Sequence, residues 1–455
     1  MIPTSPSLLS LHSDKKISLP LILSIGKVEV GLWIILFLGA LLGHLKRYVP
    51  VPDTSITILY DFLCFSLLSI VILKRILHSR RLYYSRATPI IMVFTLFVLI
   101  TAFNPMLATV GQGLLGWRFV ASGILLHFLG YYAFENESQI WRLLRVFWTT
   151  AIIISIYGLI QLLRGYSAIE LDWIQNLSAT MMIAGTGRFR LMSTLGSAVD
   201  LGLYLTLAIA TLSCTILFKR PTKLSLFALI IMSAVLLFTF VRAAWFATFI
   251  AILLSVAKLF WHKKLLRLLY PIALLIVFTS IWCFPYLIRS ISPYLENPAL
   301  QERVISLANP LKDQSILDRL HTWDGVWATI KENPYGVGVG MSGGASLRYP
   351  TTFITTTDNS YLKILLEMGW LGLSLFLLLI SKILFHGILL SSTLQGNLKI
   401  LSLAFTTSFA AFIVILFFGE YIELNPSRNI LWIFSGILFS LPRFRSPTEQ
   451  VHNNL

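Results

Sequence analysis

The chain has 455 residues, of which 56% are hydrophobic and only 12% charged. A soluble globular protein carries about 25% charged residues, so this composition excludes an ordinary soluble protein and predicts a polytopic membrane protein. The formal net charge of +16 would suggest a nucleic-acid partner in a soluble protein, but here the basic residues are spread among short loops, as the positive-inside rule requires, and no nucleic acid is expected.

About twelve apolar runs are long enough to cross ~30 Å of hydrocarbon. In chain order they lie near residues 30–46, 55–73, 87–104, 114–134, 146–164, 198–217, 224–241, 244–260, 266–286, 361–384, 398–418 and 428–442. The predicted fold class is therefore an all-α polytopic membrane protein with about 12 transmembrane helices.

Lysine and arginine concentrate in alternate connections, on the same side as the N-terminal tail. This bias predicts that both termini are cytoplasmic and that one large loop, between the ninth and tenth spans, is extracytoplasmic. The N-terminal stretch lacks the apolar core of a cleavable signal peptide, so we expect the first span to act as an uncleaved insertion signal. The predicted organisation is a cytoplasmic tail (1–27), helices 1–9 (28–286), the extracytoplasmic loop (287–360), helices 10–12 (361–442) and a cytoplasmic tail (443–455).

The cysteines give no sign of a metal site or a disulfide framework. Cys64, Cys214 and Cys283 each fall in an apolar span, and none forms a CxxC pair. The sequence also lacks a P-loop and an HExxH motif, and no GxGxxG follows a predicted strand. No cofactor and no metal site are expected, although a single metal held by Asp358 and one partner stays open.

The large loop contains a predicted amphipathic helix, SILDRLHTWDGVWATIKENP (315–334). Its apolar residues recur at a spacing of three or four positions, and its tryptophans are typical of a helix that lies at the level of the lipid headgroups. The glycine-rich stretch GVGVGMSGG (336–344) follows. We expect a flexible or tightly turning loop there, whose backbone can approach a ligand closely.

Several arginines fall on the predicted outer side without being needed for topology. Those outside the final span are Arg118, Arg188, Arg190, Arg242 and Arg319, and Arg428 opens the final span. An arginine at the end of a span ordinarily extends its side chain to the headgroups. Several on one side can alternatively bind a diphosphate, because guanidinium groups contact phosphate oxygens bidentately and stay charged. Arg242 is the strongest candidate, because it interrupts an almost continuous apolar stretch.

The stretch TTTDNSYLKILLEMGWLGL (355–373) brings polar residues directly into an apolar helix. Asp358 is interpreted either as the N-cap of that helix or as a general base for an attacking hydroxyl. Asn359, Lys363 and Glu367 share one helix face. The last two are interpreted as a buried ion pair that fixes the orientation of the helix, or as supporting residues of a site.

Five segments together resemble the bacterial O-antigen ligase and O-antigen polymerase superfamily. They are SIYGLIQLLRG (155–165), GRFRLMSTLGSAVDLGLYL (187–205), FTFVRAAWFA (238–247), DRLHTWDGVWATIKENPYGVGVG (318–340) and the closing stretch 355–373. Their order and topological placement carry the resemblance. The closing stretch is similar to the family's His-Asn/Ser-x-Tyr-Leu pattern, with Asp358 at the position where ligases carry His and Tyr361 at the tyrosine.

The resemblance implies a C-type glycosyltransferase-like fold in the bacterial inner membrane. Such enzymes transfer a glycan from undecaprenyl diphosphate to the hydroxyl of a lipid, a glycan or a protein at the periplasmic face, so the implied partners are that donor, an acceptor hydroxyl and the membrane. Arg242 and Arg319 match the arginines thought to hold the diphosphate, and Arg188 or Arg190 would assist them. Because a carboxylate is a weaker base than imidazole, Asp358 leaves the choice between ligase and polymerase open.

The remaining candidate site residues have supporting roles in this interpretation. They are Asn359, Tyr361, Lys363, Glu367 and His321, of which His321 lies beside Arg319 and can assist a carboxylate.

Two other functions remain open from the sequence. A small-anion or bicarbonate transporter would be expected to show paired, broken spans near the midplane, whereas the arginines here lie at one face. A non-catalytic assembly component would tolerate substitution of Arg242 and Asp358.

Overall fold

The computed structural model describes residues 20–78, 84–176, 181–183, 188–260, 314–349 and 356–445. These residues are almost entirely helical. The α-helices are α1 (Pro20–Ala40), α2 (Leu42–Tyr48), α3 (Asp53–Leu77), α4 (Thr88–Thr101), α5 (Val110–Val120), α6 (Ser122–Tyr132), α7 (Glu137–Arg164), α8 (Ala168–Asn176), α9 (Ala198–Phe218), α10 (Lys223–Phe238), α11 (Arg242–Phe260), α12 (Gln314–Glu332), α13 (Ser360–Thr393), α14 (Gly396–Ile415) and α15 (Ser427–Ser440). In the described part of the chain, the strands are β1 (Met182–Ile183) and β2 (Arg188–Phe189), which pair antiparallel with Met182 opposite Phe189.

The predicted all-α membrane class is confirmed, and the chain is a multi-pass membrane protein. Seven described helical segments are long and apolar enough to cross a membrane, and α1 with α2 forms a further candidate span that is bent by 58°. The predicted count of about 12 spans is not confirmed. The predicted ninth span (266–286) lies outside the described residues, as does the first part of the large loop, and α4 and α10 are shorter apolar helices.

Helices α9 and α14 form the centre of the bundle, where both are enclosed by neighbouring helices. At its side, α6 and α15 cross at very close range because glycines stand at the contact. A Cβ atom on Gly130 would lie 1.9 Å from the carbonyl oxygen of Ile433, and one on Gly436 would lie 1.9 Å from that of His127. Small residues allow helix backbones to approach in this way inside a membrane.

Helix α13 is interrupted at Gly369, which has φ 65° and ψ −170°. At the break, the backbone N–H groups of Val337 and Gly338 donate to the carbonyls of Leu366 and Glu367, each at 2.9 Å, and the N–H of Trp370 donates to the carbonyl of Pro334 at 3.3 Å. The glycine-rich stretch is therefore bonded into the broken helix. This arrangement satisfies backbone groups that lipid could not.

Helix α12 corresponds to the amphipathic helix predicted over 315–334. Its Val326 and Ile330 are buried against Leu365 and Leu366 of α13. The helix also carries partly exposed apolar side chains, among them Leu317 and Leu320, while the ring of Trp327 lies 6.3 Å from that of Trp370 on α13. Packing against α13 thus holds α12 beside the start of that helix, where the candidate site residues lie.

Candidate functional site

The residue that caps α13 is Asn359, not Asp358. The Asn359 side-chain oxygen accepts hydrogen bonds from the backbone N–H groups of Tyr361 (2.9 Å) and Leu362 (3.2 Å). The interpretation of Asp358 as the N-cap is therefore wrong. Asp358 lies one residue earlier with a left-handed backbone, at φ 47°, a conformation that Asp, Asn and His adopt more readily than other residues with side chains.

Asp358 and Arg319 are neighbours. The Nε atom of Arg319 lies 3.7 Å from Oδ2 of Asp358, and the two side chains are 33% and 47% exposed. One turn after Arg319, the indole N–H of Trp323 donates to the carbonyl of Thr357 at 2.9 Å. This bond joins α12 to the segment that carries Asp358, and it holds Arg319 beside Asp358.

Arg190 lies close enough to Tyr421 to affect its hydroxyl electrostatically, as Arg319 and Asp358 also do. Burial raises the pKa of the Tyr421 hydroxyl, Arg319 and Arg190 lower it, and Asp358 raises it. All three charged groups therefore lie within electrostatic reach of one tyrosine. Arg190 is positioned through its backbone, because its N–H donates to Met181 (2.8 Å) and its carbonyl accepts from the hydroxyl of Tyr166 (2.7 Å).

Arg242 is the first residue of α11 and is exposed. Its helix is linked to α12 by a series of aromatic contacts. Phe246, one turn after Arg242, contacts Phe418 with ring centroids 6.1 Å apart, Phe418 contacts Phe417 at 5.6 Å, and Phe417 contacts Trp323 at 5.9 Å. The start of α11 and the start of α12 therefore lie at the same end of the bundle.

Three further sequence candidates contribute less to this geometry. Arg188 is part of strand β2, but its side chain lies outside the described residues. His321 is exposed on α12. Tyr361 has a structural contact, since its hydroxyl donates to the carbonyl of Ile413 on α14 at 2.7 Å.

Lys363 and Glu367 form a fully buried ion pair, with 2.8 Å between Nζ and Oε1. The Lys363 Nζ atom also lies 3.0 Å from Oε1 of Glu423 and donates to the carbonyl of Ser342. Glu367 Oε1 accepts from the backbone N–H groups of Gly340 (3.0 Å) and Ser342 (2.9 Å). The pair therefore fastens the glycine-rich loop to α13, which supports its interpretation as a structural ion pair.

The glycine-rich loop is buried rather than open to a ligand. Three of its backbone N–H groups, those of Gly340, Ser342 and Gly344, already donate to glutamates of the protein. Gly340 also accepts from the side-chain amide of Gln112 at 2.9 Å. This stretch therefore has a structural role, and these three N–H groups are already bonded and are not available to a diphosphate.

Glu420 and Glu423 were missed by the sequence reasoning. Both lie in the short connection GEYIELNP (419–426) between the last two helices. Glu423 Oε2 accepts from the N–H of Gly344 at 2.9 Å, and burial raises the pKa of Glu423, which Lys363 lowers. Acidic residues are rare in this chain, so two carboxylates in one short connection between apolar spans were a sequence signal that this connection contributes to a site.

The Gly-x-x-Gln segment of α7 has a structural explanation. The Gln161 side chain donates to the buried carboxylate of Glu170 at 2.8 Å and accepts from the backbone N–H of Ser193 at 2.9 Å. Gly158, one turn earlier, has Leu191 and Ser193 against its face. These contacts hold the segment that leads from Arg190 into α9.

Arg118 and Arg428 belong to a separate ion cluster. Arg118 pairs with Asp61 at 2.7 Å, Arg428 lies 3.9 Å from the same carboxylate, and Asn425 donates to it at 3.0 Å. Arg428 also donates to the carbonyl of Phe119 at 2.5 Å. These two arginines stabilise packing between helices, and no group of metal-binding side chains is present among the described residues.

Residues 227–377 match the family model described as O-antigen ligase. Over this segment the chain is similar to O-antigen ligases. The resemblance to the O-antigen ligase and polymerase superfamily is confirmed over this segment, which runs from α10 into α13 and includes Arg242, Arg319 and Asp358. No curated protein matches the chain.

This match supports a membrane glycan ligase or polymerase type of function. It gives no support to the transporter alternative. Arg190 and Glu420 lie outside the matched residues, so the candidate site also includes parts of the chain that precede and follow the match.

Proposed function

We propose that the protein transfers a glycan from an undecaprenyl-diphosphate-linked donor to an acceptor hydroxyl at the periplasmic face of the bacterial inner membrane. The observation that carries the proposal is the contact between Arg319 and Asp358 at 3.7 Å. A cation for the leaving diphosphate and a carboxylate for the attacking hydroxyl lie side by side, and both are partly exposed.

The arginines act on the donor. Arg319 and Arg190 both lie within electrostatic reach of Tyr421, and Arg242 starts α11 at the same end of the bundle. Their guanidinium groups bind oxygens of the diphosphate and neutralise the charge that grows there as the sugar–oxygen bond breaks.

Asp358 acts on the acceptor. Its carboxylate accepts the proton of the hydroxyl while the hydroxyl oxygen forms the new bond to the anomeric carbon. The bond between that carbon and the diphosphate oxygen breaks with its electron pair on oxygen, so the lipid diphosphate leaves as an anion. Diphosphate is a good leaving group once its charge is neutralised, and general acid–base catalysis ordinarily contributes about 10²–10⁴-fold.

The test is complementation of a strain that lacks the protein. Arg242→Ala, Arg319→Ala and Asp358→Asn are expected to abolish or sharply reduce the surface glycan, resolved by length on gels, at normal protein levels. The matched controls are Lys331→Ala and Asp324→Asn, which remove exposed charges from the same helix as Arg319 and are expected to leave the glycan unchanged. Unchanged glycan in all three site variants would overturn the proposal.

The same gels separate the subclasses. Loss of long chains with short ones retained indicates a polymerase, whereas chains that are made but not attached to their acceptor indicate a ligase. A non-catalytic assembly role predicts normal glycan in Asp358→Asn. The acceptor and the sugar follow from the material that accumulates on the lipid donor.

A further inference from the structure

Glu420 makes an unusual set of contacts for a carboxylate between two apolar helices. Its Oε1 atom accepts from the backbone N–H of Thr357 at 2.6 Å, from the Thr357 hydroxyl at 2.8 Å and from the hydroxyl of Ser342 at 2.7 Å. Hydrogen bonds to an ionised acceptor are roughly twice as strong as those between neutral groups. One carboxylate oxygen thus holds the residue that immediately precedes Asp358.

The backbone N–H, the carbonyl and the hydroxyl of Thr357 all form hydrogen bonds. Besides its two bonds to Glu420, its hydroxyl contacts the carbonyl of Asn359 at 2.9 Å, and its own carbonyl accepts from Trp323. The side chain is buried, whereas that of Asp358 is 47% exposed. The neighbour of Asp358 is fixed while Asp358 itself stays accessible.

A second contact joins the same two segments. The Ser360 hydroxyl donates to the carbonyl of Gly419 at 2.6 Å and accepts from the N–H of Ile422 at 3.4 Å. Residues 419–422 and 357–360 are therefore bonded on both sides of Asp358. Its left-handed backbone, at φ 47°, is a conformation that persists where the surroundings fix it.

We propose that Glu420 is a positioning residue of the glycan transfer, which holds Asp358 beside Arg319 by binding both the N–H and the hydroxyl of Thr357. The inference rests on the proposed function of Asp358. It assigns a role to a residue outside the segment that matches the O-antigen ligase model. The proposed effect passes through Thr357, whereas the bond from the Ser342 hydroxyl joins Glu420 to the glycine-rich stretch.

The kinetic test uses glycan transfer in membranes of the complemented strain. Glu420→Ala is expected to lower the turnover of transfer by on the order of 10²-fold, because displacing a reacting group by about 1 Å costs that much, with little change in the donor concentration required. Glu420→Gln keeps an oxygen acceptor in the same place and is expected to recover most of the activity. Thr357→Val, which loses the hydroxyl, should fall between wild type and Glu420→Ala, and Thr357→Ser should match wild type.

The decisive comparison is made in a variant that already lacks the carboxylate. If Glu420 acts through Asp358, then Glu420→Ala costs no further activity in an Asp358→Asn background. A further large loss in that background would overturn the proposal, because it would show that Glu420 contributes independently of Asp358. Glu332→Ala, at the exposed end of α12, serves as the control in both backgrounds.

A second readout does not depend on activity. Amide hydrogen exchange of a peptide that spans 356–362 reports the Thr357 N–H directly, and Glu420→Ala should accelerate its exchange while exchange in α14 stays slow. Unchanged exchange would overturn the positioning role. Full transfer by Asp358→Asn would instead overturn the proposed function, while faster exchange in Glu420→Ala would still show that Glu420 holds Thr357. The two failures can therefore be told apart.

Discussion

Arg319 and Asp358 face each other across 3.7 Å, one on α12 and the other just before α13. The separation exceeds that of a close hydrogen bond, and both side chains reach solvent. Each therefore keeps hydrogen-bonding capacity for a substrate. Lys363 and Glu367, by contrast, are fully buried and are hydrogen-bonded to the glycine-rich stretch. The first ion pair is accessible, and the second is structural.

The first prediction concerns the choice of residue at position 358. Asp358→His and Asp358→Asn should both fold, because His and Asn tolerate the left-handed backbone as Asp does. Asp358→His is expected to retain transfer and Asp358→Asn to lose about 10²-fold or more, since only the imidazole can accept a proton. Below about pH 6.5 the imidazole becomes protonated, so the activity of Asp358→His should decline with acidification. Equal activity of the two variants would contradict a role for Asp358 as a base.

The second prediction concerns the buried ion pair. Lys363→Met leaves Glu367 and Glu423 buried without their cation, and breaking a buried pair in this way costs about 3–5 kcal/mol. We expect a marked loss of folded protein, measured by the thermal unfolding temperature in detergent. Lys331→Met, an exposed lysine on α12, is the control and should unfold as wild type does. A Lys363→Met protein with wild-type stability would show that the pair is not structural.

The third prediction compares two glycines that both have positive φ. At Gly336 (φ 87°) a Cβ atom would lie 2.5 Å from the carbonyl oxygen of Glu367, whereas at Gly396 (φ 54°) no atom lies within 4 Å. Gly396→Ala should cost only the backbone strain of about 1–2 kcal/mol. Gly336→Ala should cost clearly more, because the loop must move away from the break in α13. Equal unfolding temperatures for the two variants would argue against the packing of this loop on Glu367.

The fourth prediction separates structure from catalysis among the arginines. Asp61→Asn removes the carboxylate shared by Arg118 and Arg428, leaving buried guanidinium groups without an anion, and should destabilise the protein by about 3–5 kcal/mol. The yield of folded protein should fall, while glycan transfer per folded molecule stays near that of wild type. Arg319→Ala should show the reverse, with normal yield and lost transfer. Lost specific activity in folded Asp61→Asn would place this cluster in the site.

How much of the site was predictable differs from residue to residue. Asp358 and Arg319 were recognisable because they stand in motifs of a family, and the match over 227–377 supports that recognition. The cap was assigned to the wrong residue by one interpretation, because Asp and Asn are both favoured N-caps and only the backbone angles distinguish them. Glu420 was missed because a carboxylate in a loop looks like an ordinary solvated charge until its partners are known.

The sequence by itself determined the class of the protein, since hydropathy reports which segments can lie in lipid, and it determined α12, since the spacing of apolar residues is a local property. Only the tertiary structure decided which charges meet. Asp61 lies between Arg118 and Arg428, Glu420 binds Thr357, and the break at Gly369 is bonded to the glycine-rich loop. These partners are distant in sequence and are brought together by the packing of helices. Burial then makes each pairing specific, because a buried charge or backbone group without a partner is costly.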